Sequence, residues 1–194
     1  MARHRARRQS ESMQIKMLRL ICRVAEKAQV KMGIGGGIAV SAQGFRRDTV
    51  DVDAFFHYRD RQSVVRALRV LGSRYVLEML DDAHWIAVPP NAAPDERIDL
   101  MFATGDPEES AIELSQKKIF RGVEAPIFPV EWIIITKYLA DRNDPKDWLD
   151  IWALYQRGAY DVKQIVKRLK QMGNQEEAVA FPKFIERLVA FKKK

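Results

Sequence analysis

The chain contains a single cysteine, Cys22, among its 194 residues. One cysteine cannot form an intramolecular disulfide or a zinc cluster, so nothing points to an oxidising compartment, and we predict a cytoplasmic protein. Long apolar runs are also missing, since none approaches the roughly 18 residues of a membrane span. The sequence therefore predicts no membrane partner.

Positive charge is concentrated at the two ends of the chain. The formal net charge is +7. Its terminal contributors are Arg3, Arg5, Arg7, Arg8, Lys192, Lys193 and Lys194. We interpret residues 1–12 as a basic arm, either a solvated tail or an electrostatic handle for nucleic acid. A transit peptide is disfavoured because Glu11 follows soon and no apolar segment does.

Hydrophobic periodicity divides the chain into two parts. Helical spacing is found over residues 10–30, 62–71 and 107–114, and strand patterns over 49–58, 74–80, 84–88 and 97–102. Residues 118–128 are predicted to be one extended segment. From residue 129 the pattern is helical, with further helices at 145–155, 162–172 and 178–191. We therefore predict an α+β chain with a core over residues 13–128 and a helical region over residues 129–194.

The sequence GIGGG occupies residues 33–37 and interrupts the helical pattern before it. Ile38 stands where a dinucleotide-binding fingerprint needs its last glycine, and no Gly-Lys-Ser/Thr follows as in a Walker loop. Gly36 and Gly37 instead fit a strand-to-helix turn, where backbone N–H groups can approach an anion such as a nucleoside triphosphate. A tight helix-capping turn without a ligand is the alternative.

Three aspartates lie in segments that are otherwise apolar. On a strand, Asp51 and Asp53 project from one face about 7 Å apart while Val52 points into the core. Paired carboxylates repel, and a divalent cation such as Mg²⁺, which prefers hard oxygen ligands, removes the conflict. Asp99 completes a three-acid cluster if its strand pairs beside the first, and otherwise is an outward-facing surface residue.

These residues fall into an ordered set of motifs. The set reads Gly36-Gly37-x-Ala39, Arg47-x-Thr49-x-Asp51-Val52-Asp53, Ile98-Asp99-Leu100, PVEWIIITK at residues 129–137 and KDWLDI at residues 146–151. With it the chain resembles the nucleotidyltransferase superfamily typified by DNA polymerase beta. Within that superfamily it is most similar to the group of AbiEii-type toxins and minimal or antibiotic-modifying nucleotidyltransferases. The motif blocks cover roughly half of the chain.

The resemblance implies a mixed β-sheet flanked by helices, with a helical C-terminal half closing over a nucleotide. It also implies transfer of a nucleoside monophosphate from a triphosphate to a hydroxyl, with Mg²⁺ as cofactor. The nucleotide-binding residues it implies are Gly36, Gly37, Arg47, Thr49 and Lys137. The catalytic residues it implies are Asp51, Asp53, Asp99, Lys137 and Asp147, of which the first three also bind the metal.

Three details of the motifs qualify these roles. Many relatives carry serine where this chain has Gly37, which removes one phosphate contact. Arg46 and Arg47 are either phosphate or acceptor contacts or a surface pair. Lys137 is either a phosphate-binding point charge or an ordinary exposed helix residue.

The sequence does not decide the acceptor, for which RNA or protein is favoured and a small molecule is the alternative. The basic ends favour RNA such as tRNA over a small cationic antibiotic, which should prefer an acidic pocket. A non-catalytic nucleotide- or RNA-binding partner in a toxin–antitoxin pair is a further alternative, although a binding protein has no reason to keep three acids. An antitoxin protein is a candidate partner. The base could stack on Phe45, Tyr58 or Trp85, which the sequence does not distinguish.

Overall fold

The structure is a computed structural model that describes residues 11–45, 47–140 and 144–191. Arg46 and the charged residues at positions 3–8 and 192–194 lie outside the described residues. In the described part of the chain, no helix is both long and apolar enough to cross a membrane.

The described residues form eight α-helices and seven β-strands. The helices are α1 Met13–Ala28, α2 Gly36–Ala42, α3 Arg61–Leu71, α4 Glu108–Glu113, α5 Val130–Leu139, α6 Pro145–Gln156, α7 Val162–Gln171 and α8 Gln175–Phe191. The strands are β1 Met32–Ile34, β2 Val52–His57, β3 Val76–Met79, β4 His84–Val88, β5 Ile98–Ala103, β6 Gln116–Phe120 and β7 Val123–Ile127.

All seven strands belong to one sheet, in the order β3-β4-β5-β2-β1-β7-β6. Strands β2 and β5 are parallel, as are β1 and β7, and the other neighbouring pairs are antiparallel. The sheet is therefore mixed and helices flank it, so the predicted α+β fold with a mixed sheet is confirmed.

The centre of the sheet is the β2–β5 pair, whose side chains alternate as the sequence pattern predicts. Val52, Ala54 and Phe56 are fully buried, whereas the intervening Asp53 is only half-buried. Strand β5 is buried over most of its length, as expected for a strand with neighbours on both sides. Burial of this face fixes the register, because a slip of one residue would expose every core side chain of the strand.

The helices after residue 129 pack around α5. Trp132 and Ile133 to Ile135 are all buried, so α5 is apolar on several sides, as expected for a helix between a sheet and other helices. Beyond them Tyr138 packs edge-on against Phe181 of α8, with ring centroids 4.9 Å apart. The side chain of Asp144 caps the first turn of α6, which Pro145 opens.

One local prediction was confirmed and one was wrong. Gly36 and Gly37 form the predicted strand-to-helix turn, because strand β1, Met32–Ile34, leads into helix α2. Residues 118–128 are not one extended segment but parts of the antiparallel strands β6 and β7, joined by a tight turn at Arg121 and Gly122. Both turn residues have positive φ, 46° and 81°. Gly122 was the turn signal that the apolar pattern around it obscured.

Candidate active site

The three aspartates meet at the start of the two central parallel strands. Asp53 on β2 is directly opposite Asp99 on β5, and Asp51 immediately precedes β2. One carboxylate oxygen from each of Asp51, Asp53 and Asp99 lies within 4.8 Å of the others. Three carboxylates at this spacing form a donor set of hard oxygens, which fits a divalent cation such as Mg²⁺.

The segment that carries Asp51 is held against helix α1. The buried Gln14 donates from Nε2 to the carbonyl oxygens of Thr49, at 2.7 Å, and Asp51, at 3.2 Å. The Thr49 hydroxyl in turn hydrogen-bonds to Asp51 Oδ1. Leaving a buried amide group without hydrogen-bond partners costs free energy. These bonds therefore keep the segment in one position.

Asp99 is oriented by two neighbours that can carry positive charge. Arg97 Nε donates to Asp99 Oδ2 at 2.9 Å, and His84 Nε2 of β4 lies 2.9 Å from Oδ1. The hydrogen bond to Asp99 and the negative charge of that residue raise the pKa of Arg97, and Asp51 and Asp53 add to the effect. Each carboxylate oxygen has a second lone pair, so these contacts leave Asp99 able to bind a cation.

Strand β1 leads directly into the glycine turn beside Asp53. The N–H of Gly35 donates to the carbonyl of Asp53 at 3.0 Å, and helix α2 begins at Gly36. Gly36 has φ +52°, and a Cβ there would overlap the carboxylate of Asp53. Position 36 therefore requires glycine both for its backbone conformation and for its closeness to an aspartate. The first N–H groups of α2 have no acceptor within the helix itself.

Position 37 also favours glycine, but because of a different neighbour. A Cβ at this position would lie 2.8 Å from both Cβ and Oγ1 of Thr49. The space that the serine of many relatives needs is therefore taken by the side chain of Thr49, which already hydrogen-bonds to Asp51.

This arrangement predicts that Gly37→Ser lowers the free energy of unfolding by about 1–3 kcal/mol, the usual cost of overpacking a filled site. Adding Thr49→Ala should recover part of that loss, so the two changes are non-additive in a double-mutant cycle of denaturant unfolding. Gly105→Ser is the matched control, because a Cβ there meets no atom within 4 Å. Equal losses for the two serine variants would contradict the explanation.

A second charged cluster joins the loop before β2 to helices α5 and α6. Lys137 Nζ on α5 lies 2.5 Å from Asp147 Oδ1 and 2.8 Å from Asp150 Oδ2, both on α6. Arg47 Nη1 also pairs with Asp150 Oδ2. Asp150 is 2% exposed. Two cations, Arg47 and Lys137, therefore share one buried carboxylate.

Lys137 is buried in this cluster, with a side chain only 9% exposed, so the alternative of an ordinary exposed helix residue is wrong. Burial lowers the pKa of Lys137, and the hydrogen bond and charge of Asp147 oppose that shift. Arg47 lowers this pKa and Asp53 raises it, which means that both lie within electrostatic range. The structure thus brings Lys137, Asp147 and Arg47 together and places Lys137 within electrostatic range of Asp53.

Residues 19–191 match the sequence profile of the family described as "Nucleotidyl transferase AbiEii toxin, Type IV TA system". The chain belongs to this family. It is an AbiEii-type nucleotidyltransferase, and the resemblance inferred from the motifs is confirmed. No functionally curated protein matches the chain in sequence.

Solved structures show the same fold at low sequence identity. The antibiotic-resistance factor ANT(2'')-Ia, in solution, is 21% identical with a TM-score of 0.54, over 93% of this chain and 91% of that one. Its complex with adenylyl-2''-tobramycin is 18% identical with a TM-score of 0.52, over 91% and 99%. An antigenic nucleotidyltransferase-like protein from Paracoccidioides brasiliensis is 16% identical with a TM-score of 0.55, over 88% and 87%.

The candidate site also contains residues that the motifs alone did not assign. They are Gln14, His84, Arg97 and Asp150. Asp150 was visible in sequence as a second acid three residues after Asp147, on the same helix face, but its partners were not. His57 lies outside the site, since it is buried at the end of β2 and contacts Glu113 of α4 at 2.9 Å.

Proposed function

We propose that this nucleotidyltransferase is Mg²⁺-dependent and transfers a nucleoside monophosphate from a nucleoside triphosphate to a hydroxyl of RNA, in the cytoplasm. The observation that carries the proposal is the cluster of Asp51, Asp53 and Asp99 at the start of β2 and β5. Carboxylates that converge this closely repel one another, and a bound divalent cation would remove the conflict.

Each residue of the cluster has a role in this proposal. Asp51, Asp53 and Asp99 would hold Mg²⁺, which when bound neutralises the charge of the phosphates and polarises them. Asp99 is also the candidate to accept the proton of the acceptor hydroxyl, and His84 and Arg97 hold it in position. Thr49 orients Asp51 through its hydroxyl.

The triphosphate would lie between the glycine turn and the second charged cluster. Gly36 and Gly37 would supply backbone N–H groups from the start of α2, beside the side chains of Asp53 and Thr49. Lys137 on α5 and Arg47 in the loop before β2 would supply positive charge, and Asp147 fixes the ammonium group of Lys137. The core over residues 13–128 and the helical region over residues 129–194 would each contribute one wall.

RNA such as tRNA is favoured as the acceptor because the formal charge is +7 and both ends of the chain are basic. Transfer to a small molecule is the second candidate, since ANT(2'')-Ia, which has the same fold, is known with adenylyl-2''-tobramycin. A protein acceptor fits the same chemistry. The family description places relatives in toxin–antitoxin systems, so an antitoxin protein is the expected regulatory partner.

The test is incubation of the protein with each α-labelled nucleoside triphosphate and Mg²⁺, with total RNA, with tobramycin or with protein alone. Label is expected in RNA for one or more of the nucleotides. Removal of the cation by a chelator should abolish transfer, and added Mg²⁺ should restore it. Label in tobramycin or in protein would identify the other acceptor classes.

Transfer that persists in excess chelator would contradict the metal assignment. Nucleotide binding with no release of pyrophosphate from the nucleotide in the presence of any acceptor would instead indicate a binding partner in a toxin–antitoxin pair. A steep fall of RNA affinity with added salt would support RNA as the acceptor.

A further inference from the structure

A cleft of about 350 Å³ lies between helix α3 and strands β3 and β4. We define the α3 cleft by Arg61, Arg66, Arg69, Met79 and Trp85, which line it. It is on the opposite face of the sheet from the acid cluster: Trp85 follows His84 on β4, and consecutive strand residues point to opposite faces. His84 contacts Asp99, so Trp85 faces α3.

Helix α3 contains three arginines and no acidic residue over its whole length, RQSVVRALRVL. Arg66 and Arg69 are three apart and therefore lie on one side of the helix, where both are exposed. Within the described residues no carboxylate pairs with either guanidinium, and Arg66 contacts only the hydroxyl of Ser63 at 3.3 Å. Two adjacent arginines without acidic partners create a local positive potential.

One end of the cleft is already fixed. Arg61 Nη1 pairs with the side chain of Asp82 at 2.9 Å and donates to its carbonyl at 2.7 Å. The same guanidinium lies 4.7 Å from the ring centroid of Tyr58. Arg61 is thus a structural residue of the cleft, and Arg66 and Arg69 are the two cations left to meet a ligand.

The floor of the cleft is aromatic and apolar. Trp85 and Met79 line it, and Met79 is 56% exposed. The indole Nε1 of Trp85 is buried and has no hydrogen-bond acceptor among the described residues. Because that nitrogen is covered by the protein, Trp85 offers a ligand in the cleft only the surface of its ring.

Resting on the proposed RNA acceptor, we infer that the α3 cleft binds single-stranded RNA away from the site of transfer. A base stacks on the Trp85 and Met79 floor, and Arg66 and Arg69 bind the flanking phosphates. A stacking surface beside unpaired arginines favours a nucleotide over an acidic peptide, which needs charge but no aromatic floor. Another cleft, of about 590 Å³, has Lys163 beside Asp161 and therefore offers no such excess of positive charge.

The experiment measures binding of a fluorescent 12-nucleotide oligouridylate to the full chain without nucleotide, at several salt concentrations. Arg66→Glu/Arg69→Glu is expected to weaken binding at least tenfold, and Arg66→Gln/Arg69→Gln should reduce the salt slope by about 1.4, or 0.7 per phosphate contact. Trp85→Leu should weaken binding about tenfold and leave the salt slope unchanged. The matched control is Lys163→Glu/Lys167→Glu on α7, which makes the same change in charge at two exposed positions.

Unchanged affinity in the arginine variants, or an equal loss in the α7 control, would overturn the inference. So would displacement of the RNA from the cleft by a polyglutamate peptide of equal length, because that would show that the cleft recognises charge alone. The binding assay does not depend on transfer. If the wild-type chain binds through the cleft but labels no RNA, the proposed function fails and the inference stands. If the wild-type chain labels RNA but the cleft variants bind RNA with undiminished affinity, the proposed function stands and the inference fails.

Discussion

Asp51→Asn is expected to abolish Mg²⁺-dependent nucleotide transfer, with a fall in kcat of about 10³-fold or more, the scale seen when a group that stabilises transition-state charge is removed. The asparagine keeps the shape of the side chain and can still pair with the Thr49 hydroxyl. It removes one negative charge from a cluster whose three carboxylates lie within 4.8 Å of one another. Release of labelled pyrophosphate from a γ-labelled nucleoside triphosphate at saturating concentration measures the effect.

Asp48→Asn is the matched control for this experiment. Asp48 is exposed and precedes Asp51 by three residues, so the change has the same chemistry in the same segment. Its rate of transfer should stay within twofold of the wild type. Undiminished turnover in Asp51→Asn would refute the assignment of the acid cluster, and so would an equal loss in the two variants.

Asp150→Asn is expected to have the largest effect on stability. Asp150 is 2% exposed and pairs with both Arg47 and Lys137, so its loss leaves two cations close together in a poorly solvated place. Removing one partner of a buried ion pair costs about 3–5 kcal/mol, and about 3 is expected here because Arg47 is partly exposed and can turn to solvent. For a chain of this length that corresponds to a fall in Tm of about 10 °C.

Scanning calorimetry would measure this fall, with Glu186→Gln on the exposed side of α8 as the control that should change Tm by no more than about 2 °C. A double-mutant cycle with Arg47→Ala would test whether the loss comes from the bridge, since residues in one ion-pair network couple by about 0.5–3 kcal/mol. A Tm for Asp150→Asn within 1 °C of the wild type would show that the cluster contributes nothing to stability.

The residues that the sequence predicted best are those whose chemistry conflicts with their surroundings. Asp53 and Asp99 were identifiable because aspartate is a poor strand former and both lie in apolar runs. Gly36 was identifiable because adjacent glycines mark a turn with unusual backbone angles. The prediction of a mixed sheet came from the resemblance, since local periodicity does not report which strands pair.

The residues that the sequence missed act through long-range contacts. Gln14 lies on α1 and holds a segment 35 residues later in the chain, and nothing in its own helical pattern marks it as functional. His84 is 15 residues from Asp99 and begins a strand with no polar pattern of its own. Such partners are defined only when the sheet is assembled, because the register of β4 against β5 decides which side chains meet.

The position of Asp99 opposite Asp53 also sets where the chain can change length. Residues 89–97 lead into β5 through three prolines and several exposed residues, and extra residues there would be accommodated in the loop. A single residue gained within β5 would instead turn Asp99 to the far face of the sheet or expose Leu100 and Phe102. Insertions and deletions among homologues of this chain are therefore expected before Ile98 and not between Ile98 and Ala103.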